Sequence, residues 1–344
     1  MARKPEAAEV TDPRGAKSVA IALVVSATLL FALNSGLSRV LLRSEIQPTT
    51  LISFRLTITV ALLAGWAAVT SPGSLRPPRG RLVAIVAVHG VVGVAALQTL
   101  FLIAVDRLTL GLALTVQYMA PLGVALWVRY AQRSRLPRRV WLGLGLSLLG
   151  LAAITQIWNG LTADPVGLIA AIASASCFAT YFIVGEIAAR RTATLRLLIW
   201  SFLAGAVGLT VIAPPWQLVN RLGADVTLQG RLDDIHAPLW VALACFVIVG
   251  TVVPYVMVLV SMRRLSATVV SNLHMLEPAA GFAIGWLWFS EPMAAIAVIG
   301  CTAVIAGVLL TQRGTRAVSD AGSGPVEADS SGCEDTQRCG LGTS

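Results

Sequence analysis

A carboxyl group inside an apolar run is the first feature of this sequence that could do chemistry. Glu277 lies about twelve residues into the run 265–290. An ionised side chain at mid-bilayer costs roughly 2.5–3.5 kcal/mol on insertion scales, so it must face a protein interior, be paired, or carry a proton. Such a group could move a proton or hold a substrate ammonium. The plainer alternative is a structural carboxyl hydrogen-bonded beside the kink of Pro278. His274 precedes it by one helical turn and shares its face. Imidazole titrates near neutrality and suits a proton relay, although a neutral histidine bridging two helices fits equally well. Arg55 sits about five residues, or roughly 7.5 Å, inside the run 50–70. Its guanidinium could grip a carboxylate with two parallel hydrogen bonds or snorkel to the membrane surface.

Other polar groups interrupt apolar runs: Asn34, Gln98, Gln117, Tyr118, Tyr181, Tyr255 and Asn272. They could line a path for an amino-acid zwitterion. The alternative is interhelical hydrogen bonding, worth about 0.6 kcal/mol each. Pro121 and Pro278 fall mid-run, where proline kinks a helix and frees a carbonyl. Trp200, Trp216, Trp240, Trp286 and Trp288 read mostly as anchors at the membrane interface. Glu186 and Arg129 stand near helix ends, where a gate and simple solvation are both open. No set of residues has metal-ligand spacing, no residue is assigned a catalytic role, and no cofactor is expected. The sequence has no Gly-x-x-x-x-Gly-Lys-Ser/Thr, so ATP drive is not encoded. His-Glu-x-x-His and Gly-x-Ser-x-Gly are likewise missing, and the chain does not read as an enzyme.

These candidates need helices in lipid to position them. The chain has 344 residues, of which 56% are hydrophobic and 12% charged, against roughly 25% charged in soluble domains. Too few charges remain to coat a water-facing surface. After a polar N-tail (1–19), apolar runs cover about 20–42, 50–70, 82–105, 109–130, 140–157, 165–187, 196–213, 238–261, 265–290 and 293–311. Ten runs of this length predict an all-α integral membrane protein with ten transmembrane helices. Residues 312–344 read as a disordered tail. With a cytoplasmic N-terminus, 20 of the 26 Lys and Arg fall in inside segments and five outside, Arg55 being intramembrane. That bias places both termini in the cytoplasm. It also explains the net charge of +9 without nucleic acid.

The halves repeat. At a shift of 157, Arg107-Leu108 falls on Arg264-Leu265, Pro121 on Pro278, Gly143 on Gly300 and Gly150 on Gly307. Gln117 then matches His274. Upstream the shift is 147, bringing Phe31-Ala32 onto Phe178-Ala179. The difference is absorbed by the longer connection 214–237. Five helices per half (20–157 and 165–311) is an odd number, so the halves are inverted in the membrane. That architecture places a substrate near the midplane, between the halves.

The chain resembles the drug/metabolite transporter superfamily, in its EamA-type ten-helix form, over about 20–311. The matching pieces are Ser53-Phe-Arg-Leu56 in the second run, Leu110-Gly-Leu-Ala-Leu114 with Ala120-Pro-Leu122 in the fourth, and Pro278 with Glu291 in the ninth. Within it the chain is similar to the threonine/homoserine exporter branch, through Thr251-Val-Val-Pro-Tyr255, Arg264-Leu265 and Met275-Leu-Glu-Pro-Ala279. The resemblance implies a bacterial inner-membrane exporter of amino acids or related metabolites, with proton antiport a common mode. One departure is that Ser134, not an acid, occupies the first-half register of Glu291.

The expectation is therefore a secondary transporter of the cell membrane. It would export threonine- or homoserine-like amino acids by alternating access, with proton coupling. Arg55, Gln98, Gln117, Tyr118, Tyr181, Tyr255, Asn272, His274 and Glu277 are the substrate-binding candidates, and Glu277 and His274 the proton-coupling ones. Export of drugs or other amphipathic compounds is the alternative within transporters, and a membrane sensor or enzyme the alternative outside them. The expected partners are a small-molecule substrate, the lipid bilayer and protons, and the sequence leaves a homodimer open.

Overall fold

In lipid a backbone amide finds no water to bond, so each apolar run must satisfy its own N–H and C=O groups as a helix. The computed structural model describes residues 13–108, 110–160, 164–290 and 294–321, and these runs are helical throughout. In chain order they are α1 (Pro13–Arg43), α2 (Pro48–Thr70), α3 (Arg81–Gly90), α4 (Leu97–Arg107), α5 (Leu110–Gln117), α6 (Ala120–Tyr130), α7 (Arg138–Thr155), α8 (Pro165–Arg191), α9 (Thr194–Ile212), α10 (Leu239–Val247), α11 (Val253–Ser261), α12 (Ala267–His274), α13 (Leu276–Phe289) and α14 (Ala295–Ala321). Among the described residues, nine continuous segments are long and apolar enough to span a bilayer. The tenth span is the pair α12–α13, interrupted only at Met275, whose backbone stays near-helical (φ −64°, ψ −11°). An even number of crossings leaves both described ends on one side, called here the terminal face, opposite the far face.

Helix bounds differ from the hydropathy reading at the two ends. α1 begins at Pro13, because proline is accommodated in a first helical turn, and α14 runs ten residues past 311. Residues 1–12 and 322–344, and with them most of both tails, lie outside the described residues, as does Glu291. α8 starts where a capping residue directs it: the Asp164 carboxylate accepts from the Gly167 amide at 3.3 Å, and Pro165 follows. Arg107, ending α4, bonds the same carboxylate at 3.2 Å and ties the third span to the sixth on the far face.

Backbone irregularities recur at the repeat spacing. A π-helical segment covers Val91–Ala96 in the third span and Ile248–Val252 in the eighth, with first residues 157 apart. The fourth span breaks after Gln117 and the ninth after His274, again 157 apart. Each break is where a proline three or four residues on withholds its N–H. The π segments carry the glycines where the halves interlock. A Cβ on Gly93 would lie 3.0 Å from Cα of Tyr181, and one on Gly250 would collide with the Asn34 carboxamide. Asn34 and Tyr181 are themselves 147 apart, so the first helix of each half packs on the π segment of the other. Duplication is thus visible in backbone detail that few sequence identities carry.

The fifth and tenth spans cross where the pseudo-twofold passes between them. A Cβ added to Gly150 would fall 2.6 Å from the Gly300 carbonyl, and one added to Gly143 would fall 2.5 Å from that of Gly307. Ser147, between them, bonds the Val304 carbonyl at 3.4 Å. Backbones this close admit no side chain. Gly150→Val is expected to destabilise the protein by about 1–3 kcal/mol or more, as overpacking does. Thermal unfolding in detergent checks this: a lowered midpoint is predicted, and an unchanged one would show that the crossing tolerates separation.

The two ends of the ninth span are packed differently. All eight residues of α12, the terminal half of the ninth span, are buried, whereas in α13 only Gly285 is. A helix with one face to lipid and one to protein shows a buried stripe, as α14 does at Ala297, Gly300, Val304, Gly307 and Thr311. α13 has no such stripe, so its inner side borders open space. The contrast is confined to the ninth span, since elsewhere the far end holds a buried cluster that includes Val40, Leu41, Leu239 and Phe246. Over the far end of α13 folds the long connection, which carries a short hairpin of β1 (Asp225–Thr227) and β2 (His236–Pro238). It is pinned by Trp288 Nε1 donating to the Leu228 carbonyl at 2.9 Å and by Arg231 bonding Ser290 at 3.1 Å.

Candidate functional site

Four spans bring one polar chain together in the middle of the bundle. The Arg55 guanidinium on α2 lies beside the hydroxyl of Tyr255 on α11. Tyr255 lies close enough to Glu277 on α13 to feel its charge. The Glu277 carboxylate lies beside the hydroxyl of Tyr118, at the break between α5 and α6. A cation and a carboxylate are thus bridged by one phenol, Tyr255, with a second, Tyr118, beyond the carboxylate, and the four side chains come from both halves. Arg55 is seven residues into α2, about 10 Å from its far end, and Glu277 is ten residues from the start of α12, about 15 Å. Arg55, Tyr255 and Glu277 are enclosed by protein yet only half-buried, so they border the open space beside α13. The guanidinium also sits over Phe246 at 5.4 Å, and its Nε has no hydrogen-bond partner among the described residues. Arg55 therefore points into the protein and does not snorkel.

On the terminal side of this chain lies a layer of rings. Phe178 packs on Phe182 at 4.7 Å, Phe202 on Tyr255 at 4.9 Å, and Phe31 on Tyr255 at 5.2 Å, centroid to centroid. His274 is part of this layer, 5.1 Å from Phe182 and 5.9 Å from Phe31. Its Nδ1 meets the Val270 carbonyl of its own helix at 3.0 Å. The sequence places His274 and Glu277 on one face, and the structure puts the interruption at Met275 between them. The histidine joins the aromatic floor, while the carboxylate joins the polar chain above it.

Of the candidates read from sequence, Arg55, Tyr118, Tyr255 and Glu277 form the chain, and Tyr181 and His274 the floor. Tyr181 is 5.9 Å from Tyr255, and its hydroxyl has no partner among the described residues. Gln98 folds back onto the Val94 carbonyl of its own π segment at 3.2 Å. Asn272 is fully buried, with its amide against the Met275 sulfur at 4.0 Å. Gln117 is half-buried at the helix break. None of these three is brought against the polar chain. Pro121 and Pro278 each lie in the first turn after a break, so Tyr118 sits at one break and Glu277 just beyond the other.

His89 went unnoticed in the sequence, and the structure makes it conspicuous. It is completely buried on α3, 5.0 Å from the Tyr181 ring, and neither ring nitrogen has a partner among the described residues. Nothing near it in sequence marks it, because its neighbours come from α8. The rings of the floor were equally silent, since phenylalanines in apolar runs read as lipid-facing bulk.

Two peripheral features frame the site. At the terminal face, Glu186 Oε2 accepts from the Ala267 amide at 2.6 Å and Oε1 from Arg190 at 3.2 Å. A carboxylate at a helix N-terminus is favourable, and this one fastens the sixth span to the ninth, so Glu186 is more than a solvated end. A groove of about 480 Å³ lies elsewhere, lined by Thr57, Leu203, Val207, Val211 and Trp216 between α2 and α9. It is apolar, turned to lipid, and holds none of the polar chain. The chemistry lies with the buried charges, not with this groove.

Comparison with known proteins agrees with the architecture. The EamA-like transporter family matches residues 18–156 and 165–313, one copy per half. The threonine/homoserine exporter RhtA of Escherichia coli K12 is 25% identical over 227 residues, covering 64% of this chain and 70% of that protein. Its counterpart from Salmonella typhimurium SL1344 is 23% identical over 209 residues, and the alignment spans 60% of this chain and 64% of the relative's length. An uncharacterised transporter of Archaeoglobus fulgidus is 24% identical over 213 residues, 62% and 71% of the two chains. A crystal structure superposes with a TM-score of 0.67 at 20% identity, covering 87% of this chain and 99% of the other, which shows the fold.

Proposed function

The chain is a member of the EamA-like transporter family, and on that premise we propose that it exports small zwitterionic metabolites, amino acids of the threonine and homoserine kind, by alternating access driven by a proton gradient. The observation that carries this is the single polar chain Arg55–Tyr255–Glu277–Tyr118 at the junction of the halves. A zwitterion presents a carboxylate and an ammonium, and the site offers one cation and one carboxylate to meet them. Arg55 would hold the carboxylate in forked geometry. Glu277 would take the ammonium, or a proton when the substrate has left. That exchange is the elementary step of antiport.

The basic residues of the terminal-face connections support cytoplasmic termini and an inner-membrane location. The buried α12 and the partly covered α13 support reading this as a state whose site is reached from outside. Rocking of one half against the other, as the inverted repeat permits, would open the cytoplasmic route. The relatives named as threonine/homoserine exporters support the same substrate class. Efflux of amphipathic compounds is the second reading, favoured by the aromatic floor of Phe31, Phe178, Phe182 and Phe202.

A panel of labelled solutes offered to inside-out vesicles under an imposed pH gradient separates the readings. Threonine or homoserine accumulation that collapses with the gradient is the expected result. Movement of an amphipathic cation, with neither amino acid transported, would favour the second reading. Threonine flux insensitive to the gradient would remove proton coupling while keeping the substrate class.

A further inference from the structure

His89 and Tyr181 are the buried polar pair that the polar chain does not use. They face each other from the third and sixth spans, 0% and 3% exposed, and three of their polar atoms, both imidazole nitrogens and the phenol oxygen, have no partner among the described residues. Leaving buried donors and acceptors unmade is destabilising, and more so away from water. Native proteins keep such groups where something else satisfies them, whether a water, a ligand or another conformation.

The repeat gives an internal control. Position 246, which matches 89 at the shift of 157, is Phe246, and position 34, which matches 181 at the shift of 147, is Asn34. The fold therefore accepts an apolar ring where His89 stands, and packing does not require the imidazole. The pair is also placed where spans can slide. Gly185 brings α8 so near that its absent Cβ would lie 3.2 Å from His89 Nε2, and the π segment Val91–Ala96 begins two residues after His89. Tyr181 in turn touches Tyr255 of the polar chain at 5.9 Å. His89 is eight residues from the terminal end of α3, about 12 Å. The pair thus stands between the terminal face and the charged site, behind the aromatic floor.

We propose that His89 and Tyr181 form a second substrate site, closed in this state and uncovered when the terminal face opens, where the hydrogen-bonding end of the solute, its carboxylate in an amino acid, docks before passing to Arg55 and Glu277. The proposal rests on the transporter reading above. It adds a loading step, in which two neutral donors greet a carboxylate and then release it to a fixed cation. Weak neutral bonds suit an entry site, since tight binding there would hold the solute back.

Two arms test it. In a cysteine-free background, His89→Cys is treated with a small water-soluble methanethiosulfonate reagent from each face. Reaction from the terminal face and protection from the far face are expected, and this arm needs no substrate. No reaction from either face, or reaction from the far face alone, would overturn the proposal whatever the solute proves to be. In the second arm, Tyr181→Phe and His89→Phe are compared with the parent for half-saturation by threonine at each face, or by whichever panel solute the parent moves. Half-saturation from the terminal face should rise about tenfold while that from the far face holds. Both variants should also unfold at higher temperature, since each deletes unpartnered polar atoms. A structural role predicts the opposite pairing, lower stability with unchanged loading, and that result would reject the second site. If the parent moves no panel solute at all, the transporter reading fails separately from the labelling result.

Discussion

Replacing Glu277 with glutamine is expected to lower gradient-driven transport by about a hundredfold or more while leaving folded protein in the membrane. Glutamine has the same shape and still offers Tyr118 an acceptor, so the broken turn at Met275 keeps its partner. What is lost is the charge. Without it the site has no group to exchange a proton for the substrate ammonium, and a hundredfold loss is equivalent to about 2.7 kcal/mol. The check is the initial rate of threonine uptake into inside-out vesicles matched for protein by immunoblot, with a thermal unfolding curve alongside. A variant that transports at the parent rate would show that the carboxylate is structural. Glu277→Asp, which keeps the charge on a shorter stem, should fall between the two.

The second large effect is at Arg55. Arg55→Lys keeps a cation but loses the planar fork and the stacking over Phe246. Half-saturation by threonine should rise about tenfold or more, equivalent to about 1.4 kcal/mol. Arg55→Gln should raise it further and should also destabilise the protein, because Glu277 then lacks a balancing charge. The double variant Arg55→Gln/Glu277→Gln carries neither buried charge. Its unfolding midpoint should recover above that of either single variant, the non-additivity expected of groups in one network. Strictly additive losses would mean that the two residues are not coupled, and that the chain through Tyr255 transmits nothing between them.

Much of this architecture was legible in the sequence because membranes simplify the problem. Lipid forces each apolar run into a helix, and lysines and arginines report which side the connections lie on. The repeat was readable from the matched Pro121 and Pro278, Gly143 and Gly300, and Gly150 and Gly307, and the structure places each of these at corresponding breaks or crossings. Arg55 and Glu277 stood out because a charge in an apolar run has few explanations. Tyr118 and Tyr255 were visible only as polar interruptions, and their link to those charges is a tertiary fact. Gln98 shows the limit, since its side chain is satisfied by its own π segment. That segment leaves no mark in composition. His89 was missed because one imidazole among valines and alanines resembles a tolerated substitution, and its meaning comes from Tyr181, 92 positions away. The interruption between His274 and Glu277 was hidden because helical periodicity assumes an unbroken helix, and Pro278 breaks it.

Competition by modified threonine tests the central claim, that Arg55 and Glu277 recognise the two ends of a zwitterion, most directly. Labelled threonine transport would be measured against unlabelled threonine, threonine methyl ester, which lacks the carboxylate, and N-acetylthreonine, which lacks the ammonium. Threonine is expected to compete, and both blocked derivatives at least tenfold less well. In Arg55→Gln the penalty on the ester should disappear, and in Glu277→Gln, read by threonine binding because its transport is lost, the penalty on the acetyl derivative should. Equal competition by all three in the parent protein would contradict that claim, and would assign recognition to the aromatic floor instead of the charges.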